Sequence, residues 1–229
     1  MAIYITGDTH REFDRVFKFC EANNTNINDI LIILGDAGIN YYCDKRDADL
    51  KRELSELTVT LFCVHGNHEE RPFMLGYKEK EWHEGIVYYE EEYPNLIFAK
   101  DGEIYDFNGK KTVVIGGAYS IDKNYRLINY LPWFENELPT NQIKRYVEGQ
   151  LDKCDWSVDY VFSHTVPVKY EPVWAFIPGY NQKLIDKSTE NWLQQIDDKL
   201  EYEKWFAGHY HVESQEGPIC IMFNNIEKL

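Results

Sequence analysis

Residues 30–36 read Ile30-Leu31-Ile32-Ile33-Leu34-Gly35-Asp36. Five apolar residues in a row, three of them β-branched, with no polar alternation, suit a strand in a sheet covered on both faces. The Gly-Asp that ends the run is an ordinary turn after a strand. It is also the place where an open α/β sheet presents polar groups to a ligand, beyond the carboxyl end of its strands.

The same pattern recurs along the chain. Ala2–Thr6 ends in Gly7-Asp8, Val59–Val64 in His65-Gly66-Asn67-His68, and Thr112–Ile115 in Gly116-Gly117. Tyr160–Ser163 ends in His164, and Trp205–Ala207 in Gly208-His209. Helical periodicity falls between these runs. Phe13, Val16, Phe17 and Cys20 form one apolar face, Leu50, Leu54 and Leu57 a second, and Ile143, Val147 and Leu151 a third. Trp192, Leu193, Ile196 and Leu200 form a fourth, with Ser188 expected as its N-cap. Thr9-His10-Arg11-Glu12 reads as a capping box opening the first helix.

The first hundred residues therefore read β-α-β-α-β, which predicts parallel strands joined by crossovers. Later segments read as antiparallel. Glu103–Phe107, Asn108-Gly109 and Lys110–Ile115 form a hairpin signal, and residues 210–223 carry two more short strands around Gly217-Pro218. An α/β fold with a mixed sheet, or with two sheets packed together, follows. No repeat or Pro/Gly/Ser linker interrupts the chain, so residues 1–229 read as a single domain.

Composition narrows the function. The 229 residues are 44% apolar, enough for a large core, and 15% aromatic, which argues against disorder. Lys and Arg number 24 against 39 Asp and Glu, a formal −15. That surface opposes a grip on long nucleic acid or on an anionic membrane, both of which need basic charge. The start of the chain reaches Gly7-Asp8 at once without a targeting-like segment. Five scattered cysteines form no CxxC pair, which leads us to expect buried free thiols and a reducing cytoplasm.

Most informative is what collects at the strand ends: Asp8 and His10, Asp36, Asn67 and His68, His164, then His209 and His211. Five of the seven histidines lie there. Each taken alone has an ordinary structural reading as a cap, a turn or a satisfied polar group. Their joint placement does not. In His209-Tyr210-His211, alternation in an extended segment would send both imidazoles to one side.

Gly7-Asp8-Thr9-His10, Gly35-Asp36, Gly66-Asn67-His68-Glu69, Ser163-His164 and Gly208-His209-Tyr210-His211 together resemble the motifs of the calcineurin-like metallophosphoesterase superfamily, in order and rough spacing, over nearly the whole chain. The resemblance implies two packed mixed β-sheets flanked by helices, a four-layer αββα sandwich. It implies a metal-dependent hydrolase of phosphate esters with two metal ions, one held by Asp8, His10, Asp36 and His211, the other by Asp36, Asn67, His164 and His209. Asp36 would bridge, and His68 would act on the leaving group or the phosphoryl oxygens without ligating. Two cations roughly 3.5–4 Å apart clamp phosphoryl oxygens and deliver a hydroxide in line. Mixed oxygen and imidazole donors suit manganese, iron or zinc. The expected partner is a phosphate-ester substrate.

Two features bear on the substrate. The Ser/Thr phosphatase branch carries Asp-Arg-Gly near the second motif, where this chain reads Ala37-Gly38-Ile39-Asn40. Arg11, beside His10 at a helix start, is either the replacement as the substrate-binding cation or a solvated first-turn residue, with Arg71 and Arg126 as weaker candidates. The aromatic segments 118–138 and 165–182 are expected at the rim of the site or as cover for the sheet edge. A phosphodiesterase acting on a cyclic or short nucleotide, or a non-catalytic scaffold of the same fold, are the alternatives. Monoester or diester preference and oligomeric state are left open at this level.

Overall fold

The computed structural model describes residues 1–229. The parallel strands expected from the opening third are present as β1 (Ile3–Thr6), β2 (Ile30–Ile33) and β3 (Thr60–Cys63), with helices α1 (Asp14–Asn23) and α2 (Lys45–Leu54) as their crossovers. Ile33 lies level with both Thr6 and Cys63, so the three strands deliver their following residues to one rim.

The expectations missed the next three strands: β4 (Lys78–Trp82), β5 (Gly85–Tyr89) and β6 (Leu96–Ala99). β6 adds in parallel to β3, while β5 and β4 follow antiparallel. The sequence of β4 is Lys-Glu-Lys-Glu-Trp, the charged composition of a sheet edge rather than of a buried strand. β7 (Ile104–Phe107) and β8 (Lys110–Ile115) form the expected hairpin. Asn108 and Gly109 both take positive φ, 58° and 85°, as a two-residue turn of this hand requires.

The remaining elements are α3 (Lys123–Ile128), α4 (Asn141–Lys153), β9 (Tyr160–Ser163), α5 (Ser188–Asp197), β10 (Lys204–Ala207), β11 (Ser214–Glu216), β12 (Ile219–Ile221) and β13 (Glu227–Lys228). Two mixed sheets result. One has the order β13-β1-β2-β3-β6-β5-β4, the other β11-β12-β10-β9-β8-β7. Each has four parallel strands at its centre and antiparallel strands at its edges.

Strand alternation divides the core into three layers, giving the four-layer sandwich. Ile30, Ile32, Leu34 and Phe62 point between the sheets and meet Phe107, Val114, Phe162 and Phe206 from the second sheet. Leu31, Ile33 and Leu61 point the other way, onto Val16 and Cys20 of α1 and Leu50 and Leu54 of α2. On the far side, Val113, Val161 and Trp205 pack under Val147 and Leu151 of α4 and Trp192, Leu193 and Ile196 of α5. No helix is long and apolar enough to cross a membrane.

Two expected caps differ. Thr9 does not cap α1: its hydroxyl donates to the Ala37 carbonyl, and Phe13 stands at the N-cap with no side-chain bond. A contact with another segment outcompetes the local cap there. Ser188 is the first residue of α5 rather than its cap, and its N–H is taken by Asp186 Oδ1, two residues earlier. Thr140 does cap α4, accepting from the Ile143 N–H. Cys20 and Cys63 are buried free thiols, as expected.

Candidate metal centre

All eight polar residues expected at the site come together at the carboxyl rim shared by the two sheets. The first sheet supplies Asp8, His10, Asp36, Asn67 and His68, and the second supplies His164, His209 and His211. They form two donor groups. In the first, His211 Nε2 lies 3.2 Å and His10 Nε2 3.6 Å from Asp8 Oδ2, and the two imidazole nitrogens are 2.8 Å apart. In the second, His164 Nε2 lies 3.6 Å from Asp36 Oδ1 and 2.8 Å from Asn67 Oδ1, and His209 Nδ1 is 3.1 Å from that same amide oxygen.

Asp36 faces both groups. Its Oδ1 is on the His164 side, and its Oδ2 is 3.9 Å from both His10 Nε2 and His68 Nε2. Asp8, His10 and His211 offer ligand atoms within 4.8 Å of one another, as do Asp8, Asp36 and His164. Asp8 Oδ2 is buried with no hydrogen-bond partner. A buried carboxylate oxygen facing imidazole nitrogens is a donor set that fits a cation of borderline hardness.

The electrostatics point the same way. Burial opposes the charge of Asp8, yet the nearby imidazoles of His10 and His211 hold its carboxyl well below the usual range. Asp36 is likewise low: burial works against its charge, and His164 and His68 outweigh it. Burial would discharge His164, but Asp36 and Asp8 push it up to about 9. His209, buried beside charged His164, falls to about 3. Two buried carboxylates thus draw positive charge into the site.

Backbone and neighbours aim these side chains. His164 Nδ1 donates to the Leu34 carbonyl at 2.8 Å, which turns Nε2 toward Asp36. Asn67 Nδ2 donates to Ser120 Oγ at 2.9 Å, which turns Oδ1 toward the histidines. Asp8 Oδ1 accepts the His209 N–H, and Arg15 donates to the Asp8 carbonyl. Glu69 ties two ligand loops together, accepting from the N–H groups of Gly66 and Gly38; burial, with Asp36 adding to it, raises its carboxyl to about 7. Two glycines make room for ligands: a Cβ on Gly35 would stand 2.1 Å from His164 Nδ1, and one on Gly66 2.0 Å from Asp36 Oδ1.

The alternation argument for His209 and His211 does not hold. Both adopt left-handed φ, 70° and 54°, so the segment is not extended. His211 turns to Asp8 and His10, while His209 turns to Asn67. His10 and Asp36 are also left-handed, at 46° and 48°. Such conformations cost free energy in non-glycine residues and persist where surrounding bonds enforce them. Here Asp36 O accepts the N–H groups of Thr9 and His10.

Arg11 lies at this end of the fold, but its guanidinium is engaged elsewhere. Nη1 binds Asp47 at 2.6 Å and the Gly38 carbonyl at 2.7 Å, and Nη2 binds the Arg46 carbonyl. Arg71 forms a buried pair with Asp101. Arg126, from α3, reaches the centre: Nη2 is 3.4 Å from His68 Nε2, with Nε on Asp122 and Nη1 on Tyr41. Sequence reasoning also passed over Ser120, which has no local signature. Segments 118–138 and 165–182 flank a cavity of about 350 Å³ that opens onto Asp36, Asn67, His68, His209 and His211.

A family description for calcineurin-like phosphoesterases matches residues 1–213. Among solved structures, the protein TT1561 of Thermus thermophilus superposes with a TM-score of 0.52 at 12% identity, over 99% of this chain and 96% of that one. An archaeal protein described as a novel phosphodiesterase aligns at 11% identity and TM-score 0.38, covering 97% of this chain and 82% of its own. The protein of unknown function AQ665 from Aquifex aeolicus gives 14% identity and TM-score 0.40, covering 98% and 89%. At 12% identity, the likeness to TT1561 bears on the fold alone. No curated protein matches.

Proposed function

The chain belongs to the calcineurin-like phosphoesterase family, and from that premise we propose that it is a hydrolase of phosphate esters whose site holds two metal ions. The observation that carries the proposal is Asp36, whose two carboxylate oxygens face two different donor groups. Asp8, His10, Asp36 and His211 would hold one ion, and Asp36, Asn67, His164 and His209 the other. Manganese, iron and zinc suit this donor set.

Held there, the two cations would supply Lewis acidity to the phosphoryl oxygens and would lower the pKa of an attacking water toward neutral. The chain's own residues do the rest. His68 sits with Nε2 near Asp36 Oδ2 but outside both donor groups, where it can hand a proton to the leaving oxygen or hold a phosphoryl oxygen. Burial, reinforced by Arg126, holds His68 below its ordinary value. We assign Arg126 the phosphoryl-facing charge that the sequence suggested for Arg11, because Arg126 is the arginine whose guanidinium reaches His68. The role of Arg11 then becomes the shape of the loop it ties down. We further propose that residues 1–229 act as one catalytic domain in a reducing cytoplasm, in keeping with five free cysteines.

The deciding experiment reconstitutes the protein with Mn²⁺, Fe²⁺ or Zn²⁺ and assays p-nitrophenyl phosphate and bis(p-nitrophenyl) phosphate in parallel. Metal-dependent release of nitrophenol from either supports the reading, and their ratio sets the ester class. Inactivity on both, in protein that has taken up metal, would overturn it.

A further inference from the structure

Asn67 is the one neutral amide among the donors, and the group that orients it lies in the segment following β8. Ser120 Oγ accepts from Asn67 Nδ2 at 2.9 Å. A hydroxyl that accepts still has one proton of its own to place. Glu137 stands where that proton can go: its carboxyl faces the hydroxyl and the N–H of Ser120, and its Oε2 accepts from Trp133 Nε1 at 2.9 Å. Asn67, Ser120 and Glu137 are each at most 2% exposed, so these groups satisfy one another rather than water.

The backbone around Glu137 is fixed against the loop that carries Asn67. The Asn136 carbonyl accepts from Arg71 Nε at 2.9 Å, and Asn136 Nδ2 donates to Glu70 Oε1 at 2.5 Å. Gly117, at φ 91°, lets the exit of β8 pass directly beneath: a Cβ there would stand 2.4 Å from the Glu137 carbonyl oxygen. Burial raises the Glu137 carboxyl, and the donors from Ser120 and Trp133 pull it back down. An ionised carboxylate accepts and cannot donate, so it gives the chain of bonds a direction. Ser120 hands its proton to Glu137 and offers a lone pair to Asn67. Asn67 therefore turns its NH2 to Ser120 and its oxygen to His164 and His209. The two ends of an amide have nearly the same shape, and a flipped Asn67 would present N–H groups where the donor set needs an oxygen.

We propose that Glu137 is a positioning residue for the second donor group: acting through the Ser120 hydroxyl, it holds Asn67 with Oδ1 rather than Nδ2 turned toward His164 and His209. The proposal rests on the two-metal reading above. It also gives the segment 118–138 a part in the metal centre beyond Arg126, since Ser120 and Glu137 stand near its two ends. The effect is confined to one ion, because the first donor group has no amide to orient.

Calorimetric titration of the metal-free chain with Mn²⁺ reads this without turnover. His211→Ala keeps the second donor group and His209→Ala keeps the first, so each background reports one ion. With His211→Ala, Glu137→Gln and Ser120→Ala should each weaken Mn²⁺ binding about 10–100-fold, the scale of removing a partner behind a metal ligand. Glutamine has one acceptor oxygen; with Trp133 N–H keeping it, the NH2 faces Ser120 and the chain of bonds reverses. With His209→Ala, neither change should move the affinity by more than about twofold. The double substitution S120A/E137Q should bind no more weakly than Ser120→Ala alone, because Glu137 acts through Ser120. Trp133→Phe, which removes the other donor to Glu137, should leave both affinities within about twofold. Unchanged affinity in E137Q, equal loss in both backgrounds, additive losses in the double substitution, or a Trp133→Phe loss as large as that of E137Q would overturn the inference while leaving the two-metal reading intact. If E137Q does not fold, Glu137→Asp, which draws the carboxylate back from Ser120 by one methylene, should show the same selective loss, and its absence would overturn the inference equally. If the chain with all its ligands takes up fewer than two Mn²⁺, the two-metal reading falls and this inference falls with it.

Discussion

Arg126 Nη2 stands 3.4 Å from Nε2 of His68, 58 residues away in sequence. Asp122, Tyr41 and the Pro132 carbonyl hold the guanidinium there, so α3 delivers a charge to the candidate metal centre.

Arg126→Ala should lower kcat/KM for a monoester by roughly 10–100-fold, the scale of losing one charged donor to a phosphoryl group. It should also raise the pH at which His68 protonates, because Arg126 is one of the charges holding it low. The alkaline limb of the pH–rate profile, where His68 gives up the proton it donates, should move upward. An unchanged profile with unchanged kcat/KM would remove Arg126 from the site.

Arg11 should behave differently. Its pair with Asp47 is largely buried, with side chains 22% and 5% exposed, and it bridges the loop that follows Asp36 to the start of α2. Arg11→Ala should cost about 2–3 kcal/mol in a urea melt, discounted from a fully buried pair, and change KM by less than about twofold. A large rise in KM with unaltered stability would return Arg11 to substrate binding.

Elemental analysis separates the two donor groups. The wild type should carry close to two transition ions per chain, Asp36→Asn should lose most of both, and His211→Ala and His209→Ala should each lose about one. Removing metal with a chelator should also lower the melting temperature, since a ligand at about a hundred times its Kd stabilises the fold by about 2.7 kcal/mol. Loss of both ions on replacing His211 alone would show that the groups are not separable.

The two glycines Gly66 and Gly149 should respond oppositely to alanine. At Gly66 the new Cβ would stand 2.0 Å from Asp36 Oδ1, so metal content and turnover should collapse. Gly149, inside α4, has nothing within 4 Å of its added Cβ, so Gly149→Ala should stabilise by roughly 0.5–1 kcal/mol with activity unaffected. Thermal melts and a phosphoesterase assay report both.

Glu190 gives stability a pH dependence of defined sign. Burial raises its folded value to about 7 from an ordinary 4.5, so below 4.5 both folded and unfolded chains hold the proton. Between the two values the unfolded chain has released a proton that the folded chain keeps, and stability falls as pH rises, by about 3 kcal/mol over that window. Glu190→Gln removes this titration. Its melting temperature relative to wild type should therefore rise from about pH 4.5 to about pH 8. A constant difference across that range would show that Glu190 is ionised throughout.

Much of the site could be read locally. A strand that ends in Gly-Asp or Gly-Asn-His announces itself within about seven residues, because the apolar run, the small residue and the polar group are adjacent. The strands of the first sheet that lie between strongly periodic helices were legible for the same reason, and so was the hairpin at Asn108-Gly109. β4 was not, since Lys-Glu-Lys-Glu-Trp has the composition of a solvated segment and becomes a strand only by pairing with β5. The cap expected at Thr9 failed because a distant partner, the Ala37 carbonyl, took its hydroxyl. At Ser188 the competitor was local: Asp186 meets the N–H of a residue that already belongs to the helix.

By itself the sequence determined which residue types stand at the strand ends, since a β-run and its terminating residues are a short-range property of the chain. Only the tertiary structure decided how they are shared out. His10 meets His211 across 201 residues, and His164 meets Leu34 across 130, contacts that exist because two sheets pack face to face with their carboxyl rims aligned. The split of His209 from His211 depends on left-handed backbone that neither residue prefers, imposed by bonds such as that from the His209 N–H to Asp8. Which arginine comes within reach of His68 likewise depends on the fold: Arg126 Nη2 lies 3.4 Å from it, while the guanidinium of Arg11 is tied to Asp47.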